Sequence, residues 1–251
     1  MANGIFVFLT GLVFGSFANV IILRLNTGES LIFRGSRCFF CGRKLKWFLL
    51  VPVLSFLVLR GKCAACGAKI SWQYPLVELS SAFLFLFICL FGQNGQHGVL
   101  TIILSVVFFW LLLVISAYDF RHKIIPDSLA YSAIAVSVFF RIFDFGLSHI
   151  FTALGLFLFF AFLWLVSSGR WMGFGDAKLA FAIGLFLGWP AGLVALFVSF
   201  WLGAAVGVVY LFWSKSGSLK AQIPFAPFLS LGGLTAFLWG DFLISWYVSL
   251  L

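Results

Sequence analysis

Residues 101–127 read TIILSVVFFWLLLVISAYDFRHKIIPD, and the architecture follows from what they are. Thr101 to Tyr118 carries no charge, and about 20 residues of that kind are what a helix needs to cross the hydrocarbon of a bilayer. The run stops on Asp119 and passes at once into the basic Arg121-His-Lys123. It therefore reads as a membrane helix with a carboxylate at its boundary.

Similar apolar runs recur along the chain and predict spans near 5–23, 76–92, 99–118, 128–143, 149–167, 177–189, 191–213 and 225–250. The stretch Ala177–Trp213 is barely long enough for two crossings, and Gly188-Trp189-Pro190 is the turn signal that divides it. Hydrophobic residues make up 63% of the 251 residues and charged ones 9%. A soluble domain carries about 25% charged residues, so this chain cannot wet its own surface. Unbroken apolar runs, without ten-residue alternation, exclude a membrane β-barrel. The first run has no Lys or Arg before it and no small-residue cleavage pattern after it, and is read as a retained span. The expected class is all-α, a polytopic membrane protein with about eight transmembrane helices and a small cytoplasmic zinc-binding loop domain.

Charge placement orients the chain. With the N-terminus outside and eight crossings, the inner segments hold Arg24, Arg34, Arg37, Arg43, Lys44, Lys46, Arg60, Lys62, Lys69, Arg121, Lys123, Arg170, Lys178, Lys215 and Lys220. Of the 16 Lys and Arg, only Arg141 falls outside, the asymmetry expected when cytoplasmic loops are positive. The net charge of +9 is thus a topological signal, and no nucleic-acid partner is expected. Within the inner loop 24–75, the apolar patch Trp47–Leu59 is too short and too interrupted by Pro52 to span. It reads as a segment lying on the membrane surface. The 35 phenylalanines need no role beyond bulk that faces lipid and packs helices.

That loop holds Cys38-Phe-Phe-Cys41-Gly and Cys63-Ala-Ala-Cys66-Gly. Two C-x-x-C turns, each closed by Gly, present four thiolates to a structural zinc. A reducing compartment disfavours disulfides, although a redox pair or a metal-free loop remains an alternative. Four cysteines leave no open coordination position, so the metal is given no direct chemistry. Cys89, inside a span, reads as packing.

Seven acidic residues remain to be weighed. Asp144 and Asp241 fall towards the outer side, and Glu29 in the loop reads as solvated. Asp119 and Asp176 stand at the cytoplasmic ends of helices at similar depth, where ionisable groups are costly and mark function. Gly173 and Gly175 beside Asp176 permit unusual backbone angles or close approach of another segment. Two such carboxylates suit aspartic-protease chemistry, one protonated and one ionised. The residues alone leave a second reading open, in which Asp176 caps a helix beginning at Ala177 and Arg121 or Lys123 neutralises Asp119. Asp127 reads as a helix cap after Pro126, and His122 as a solvated or headgroup contact.

Taken in order, Gly15-Ser-Phe-Ala-Asn-Val20 with Arg24-Leu25, the two C-x-x-C pairs, Ser71-Trp-Gln-Tyr-Pro-Leu-Val-Glu78, Asp119 with Ile125-Pro126-Asp127, Gly173-Phe-Gly-Asp176-Ala-Lys178 and Ile223-Pro-Phe-Ala-Pro-Phe228 resemble the bacterial type IV prepilin peptidases. These are intramembrane aspartyl proteases of the GxGD type, and the resemblance runs almost end to end. It implies Asp119 and Asp176 as the catalytic pair and prepilins or pseudopilins as membrane partners. It also implies leader cleavage at the cytoplasmic face of the bacterial inner membrane, and N-methylation of the new N-terminus with S-adenosylmethionine. The implied division is 1–23, the first transmembrane helix; 24–75, a cytoplasmic four-cysteine loop domain associated with methyl transfer; and 76–251, the transmembrane peptidase core. No residues binding S-adenosylmethionine are assigned beyond the region of Glu78. Ala82 stands where many members have Gly, a departure in the neighbourhood associated with methylation. Asn26, Ala226 and the absence of Pro inside the cysteine pairs are further departures. Glu78 or Asp127 is a candidate for receiving the basic leader or the substrate's first residues. A proton-coupled transporter and a non-catalytic assembly subunit are the competing functions. The first sits poorly with carboxylates near one face and no repeat, and the second leaves the paired aspartates unexplained.

Overall fold

In the computed structural model the described residues are 4–31, 35–91, 98–142, 146–213 and 223–250. Predictions falling on Arg34, Asp144, Lys215 and Lys220 lie outside them. Among the described residues the structure is helical throughout, with two isolated β-bridges as its only extended pairing. The helices are α1 Gly4–Arg24, α2 Leu54–Val58, α3 Gln73–Phe91, α4 Val99–His122, α5 Asp127–Arg141, α6 Leu147–Ser167, α7 Phe174–Leu187, α8 Ala191–Trp213 and α9 Ala226–Val248, with a 3-10 turn at Trp47–Leu50 before α2.

Each of the eight apolar runs becomes a helix, and Ala177–Trp213 divides at Gly188-Trp189-Pro190 as expected. Six are long and apolar enough to cross a membrane: α1, α3, α4, α6, α8 and α9. Two fall short of the span length expected of them. Helix α5 has 15 residues and α7 has 14, which at 1.5 Å per residue is about 22 and 21 Å against a hydrocarbon core of about 30 Å. Two predicted boundaries also move. Helix α4 runs past Asp119 to His122, and α7 begins at Phe174, not Ala177.

The chain divides into two compact units, Met1–Leu90 and Phe91–Leu251. In the first, α1 and α3 approach closely because small residues face one another. A Cβ on Gly15 would lie 2.5 Å from the Glu78 Cα, and one on Gly11 2.6 Å from the Ala82 Cα. Lipid offers no hydrophobic drive for helices to associate, so close backbone packing and hydrogen bonds must supply it. Asn19 adds one such bond, donating through Nδ2 to the Tyr74 carbonyl at 3.2 Å.

In the second unit α7 is the central helix, packed against α5, α6, α8 and α9. It is buried on all sides, from Asp176 through Ala180 and Ile183 to Phe186. Phe186 stacks on Phe108 of α4 with centroids 4.1 Å apart and also meets Phe140 and Phe237. Each such pair adds about 0.5–1.5 kcal/mol beyond its buried area. On α5, Ser137 donates across to the Ala182 carbonyl of α7 at 3.0 Å. The phenylalanines thus pack helices here, while Phe162, Phe197 and Phe212 remain exposed where lipid would lie.

Candidate active site and metal centre

Asp119 lies in the last turn of α4 and Asp176 in the first turn of α7, 5% and 6% exposed. The segment that follows Asp119 packs on the first turn of α7, where Ile125 meets Gly175 beside Asp176, so the two carboxyls lie at the same end of the helix unit. Each is held by one backbone amide. Asp119 Oδ2 accepts from the N–H of Ala226, the first residue of α9, at 3.3 Å. Asp176 Oδ2 accepts from the N–H of Gly173 at 3.1 Å. Asp176 Oδ1 is buried and, among the described residues, has no partner.

The capping alternative is therefore half realised, in altered form. Asp176 does not precede its helix. It sits inside, three residues after Gly173, and reaches back to the N-cap amide as the acid of a capping box does. One oxygen suffices for that, which leaves Oδ1 uncommitted.

The two glycines play different parts. Neither has the left-handed backbone that favours glycine: Gly173 has φ −78° and Gly175 is helical. A Cβ on Gly173 would meet Asp176 Oδ2 at 3.7 Å, an ordinary contact, whereas one on Gly175 would lie 2.7 Å from the Ile125 Cβ. Gly175 is thus the point where the Ile125-Pro126 segment touches α7. Beside it, Lys178 Nζ of α7 reaches Asp127 Oδ1 of α5 at 2.6 Å. Asp127 is the first residue of α5, with Pro126 at the cap position and no side-chain cap bond. The cap expected of it is replaced by this ion pair.

Ser116 and Ser230 tie α4 to α9 beside Asp119. Their hydroxyls are 2.7 Å apart, and each also lies within bonding distance of a carbonyl of its own helix, Leu112 for Ser116 and Ala226 for Ser230. Sequence reasoning missed these serines, the Ala226 amide and the contact of Ile125 with Gly175. The segment Ile223-Pro-Phe-Ala-Pro-Phe228 was visible only as a resemblance, with no role attached. His122 stacks on Tyr118 with centroids 4.3 Å apart. Glu29 pairs with Arg37 at 2.6 Å and Arg24 at 3.9 Å, so it is less free than expected. Asp241 is exposed on α9.

The four loop cysteines converge. All four Sγ atoms lie within 4.8 Å of one another, with Cys38 and Cys66 at 3.9 Å. Four sulfurs at about 2.3 Å from a zinc ion would be about 3.8 Å apart, so a slight contraction around the ion completes the site. Both arms are built alike. Gly42 N–H donates to the Cys38 carbonyl and Gly67 N–H to the Cys63 carbonyl, each at 2.9 Å. The two glycines have φ +69° and +71°, which only glycine adopts readily. Backbone N–H groups of Cys66 and Ala65 draw the Cys63 thiol down to about 6, while Cys66, against the pull of the Ala68 N–H, is pushed up to about 11 by burial and the neighbouring thiols. Cys63 is thus the first of the two to offer the thiolate that a metal requires.

Glu78 is buried in α3, and its Oε2 accepts from the Val53 N–H at 2.8 Å. Ala82 is fully buried against Gly11. Its backbone belongs to the α1–α3 seam.

These features define a multi-pass helical membrane protein with a buried pair of carboxylates at helix ends and a four-cysteine cluster arranged as metal ligands are. Residues 9–91 match the profile of the bacterial peptidase A24 N-terminal domain, and residues 106–208 that of the type IV leader peptidase family. The prepilin leader peptidase/N-methyltransferase of Bacillus subtilis is 33% identical, covering 97% of both chains. The protein of that name from Stutzerimonas stutzeri is 32% identical over 95% of this chain and 91% of its own. The one from Legionella pneumophila is 33% identical over 85% of this chain and 75% of its own. No solved structure matches significantly. The chain belongs to the type IV leader peptidase family, an enzyme family of the inner membrane.

Proposed function

We propose that the chain cleaves the leader peptide of type IV prepilins and pseudopilins with Asp119 and Asp176, and methylates the new N-terminus. The observation that carries this reading is the pair itself: two buried carboxyls from distant motifs at one end of the helix unit, each fixed by a single amide. Like charges at short range cannot both persist easily, so the pair shares a proton. The ionised member takes a proton from water, which attacks the scissile carbonyl, and the protonated member donates to the carbonyl oxygen or the leaving nitrogen. Asp176 Oδ1, with no protein partner among the described residues, is available to that water. The Ala226 and Gly173 amides hold the other oxygens in place through the cycle.

The charge asymmetry supports an outside N-terminus and a cytoplasmic cysteine loop. The proposed division keeps the loop 24–75 and the core 76–251 as separate functional parts. Zinc is the metal that four cysteines suit best, and its role here is to fold the loop. S-adenosylmethionine, when bound, supplies an activated methyl group carried on a cationic sulfur. Buried Glu78 fits a cationic ligand in chemistry, and Ala82, lying in a helix seam, leaves methylation intact.

The test is cleavage of a prepilin in liposomes by the wild type, Asp119→Asn and Asp176→Asn, with mass spectrometry of the product. Loss of cleavage in both variants with unchanged thermal stability, and one added methyl on the wild-type product, is expected. Cleavage surviving both substitutions would return the aspartates to structural roles.

A further inference from the structure

Between the metal site and α3 lies a face that neither peptide cleavage nor zinc binding uses. The 3-10 turn and α2 pack against each other, yet Trp47 is 81% exposed and Val58 80%. Phe48, Leu50, Leu54 and Leu57 are exposed as well, and Phe56 alone in these elements is buried. So much apolar surface on two short elements marks an interaction site.

Three observations say what covers it. The first is charge. From Ser30 to Val77 the sequence holds no acid, while Arg43, Lys44 and Lys46 lead into the patch and Arg60, Lys62 and Lys69 follow it. Lys46 Nζ lies 5.8 Å from the Phe48 ring, so cation and apolar surface share one edge. The second is height. Val53 joins the 3-10 turn to α2, and its N–H is bonded to Glu78, five residues inside the membrane-length helix α3. That is about 7.5 Å along the helix axis. The patch is thereby pinned beside the end of a membrane span, and the Phe56 ring packs on Trp72 at that end, centroids 4.9 Å apart. The third is backbone strain at the pin. Val53 has φ +61° and ψ −49°, with the Leu54 N–H bonded to the Pro52 carbonyl at 2.6 Å. This is a γ-turn of the rarer hand, unfavourable for a β-branched residue. Strain of this kind persists only where surrounding contacts enforce it, and the Glu78 carboxylate is such a contact.

We propose that the 3-10 turn and α2 form an interfacial face by which the cysteine lobe lies on the anionic lipid headgroups of its own membrane leaflet. Trp47, Phe48, Leu50, Leu54, Leu57 and Val58 enter the headgroup boundary, and the flanking cations meet lipid phosphates, the arrangement of a monotopic surface segment. An anionic cytoplasmic leaflet is the surface the proposed orientation offers.

The test is amide hydrogen exchange of residues 47–58 in the full chain, in nanodiscs of phosphatidylcholine alone and with about one third phosphatidylglycerol. Each cation near an anionic surface strengthens attachment about fivefold. Exchange is expected to slow about tenfold or more in the anionic discs and to recover in high salt. In the variant K44Q/K46Q/R60Q the slowing by anionic lipid should shrink severalfold while zinc content stays at the wild-type level, which proves the lobe folded. Equal exchange in both lipids overturns the proposal. So does protection that follows protein concentration, which assigns the face to a second copy, or protection that appears only with added prepilin. The readout needs no turnover, so a failed cleavage assay leaves it standing and the reverse also holds.

Discussion

Gly175→Ala tests whether the contact between the two aspartate-bearing segments is steric. The new Cβ would stand 2.7 Å from the Ile125 Cβ, whereas carbons in contact relax to about 3.5–4.0 Å. Something must therefore yield by about 1 Å. The obstructing atom is bonded directly to the Ile125 backbone, so no rotamer change removes it. The displacement falls on the first turn of α7, one residue from Asp176. Overpacking of this kind costs about 1–3 kcal/mol, and alanine in place of a helical glycine returns about 1 kcal/mol. Net destabilisation is thus small, about 0–2 kcal/mol by those figures. A catalytic group misplaced by about 1 Å loses on the order of a hundredfold in rate. The expected result is a prepilin-cleavage kcat down about a hundredfold with a melting temperature near that of the wild type. Gly173→Ala, whose Cβ meets nothing closer than 3.7 Å, should stay near wild-type rate. Adding Ile125→Gly to Gly175→Ala should recover at least part of the loss, because it removes the obstructing carbon. Ile125→Ala keeps that carbon and should not. Equal effects at the two glycines, or rescue by Ile125→Ala, would refute the steric argument.

Ser116→Ala and Ser230→Ala should each lower kcat about fivefold or more, from roughly 1 kcal/mol of lost hydrogen bonding, with KM unchanged. The double variant should be worse than either single one, since in each single variant the remaining serine still reaches a carbonyl of the facing helix, Leu112 for Ser230 at 3.3 Å and Ala226 for Ser116 at 3.5 Å. Asp127→Asn breaks an exposed ion pair with Lys178 worth under about 1 kcal/mol. Its cleavage rate and apparent substrate affinity should stay close to wild type, and a large fall in affinity would instead give Asp127 a substrate contact. A zinc chelator should open residues 37–70 to proteolysis, followed by mass spectrometry, while cleavage by the aspartate pair continues.

Hydrophobic runs made eight helices legible, and the Gly188-Trp189-Pro190 turn was placed from local chemistry alone. The cysteine knuckles were equally legible, because spacing and a following glycine are local signals. What escaped was relational. The Ala226 amide on Asp119, the Ser116–Ser230 bond and the Ile125–Gly175 contact join segments far apart in sequence, and no periodicity encodes such pairings. The ends of α4 and α7 were misplaced because Asp119 and Asp176 look like boundaries to a hydropathy argument. The fold places each within a helix, Asp119 under the Ala226 amide of a distant segment and Asp176 under the N-cap amide of its own helix. Val53 shows the same limit: nothing in Val51-Pro-Val53 announces a γ-turn, which exists because a carboxylate in α3 accepts its N–H.

The brevity of α7 has a consequence for hydrolysis. A helix about 21 Å long, at the centre of a unit in which four other helices reach membrane length, cannot bring both of its ends to the lipid–water boundary of an undeformed bilayer. Because α5, α6, α8 and α9 enclose it, the shortfall is met inside the helix bundle and not by the lipid. A recess of that kind at the Gly173–Asp176 end would bring water, the second reactant of a hydrolysis, to the aspartates whatever the thickness of the host membrane.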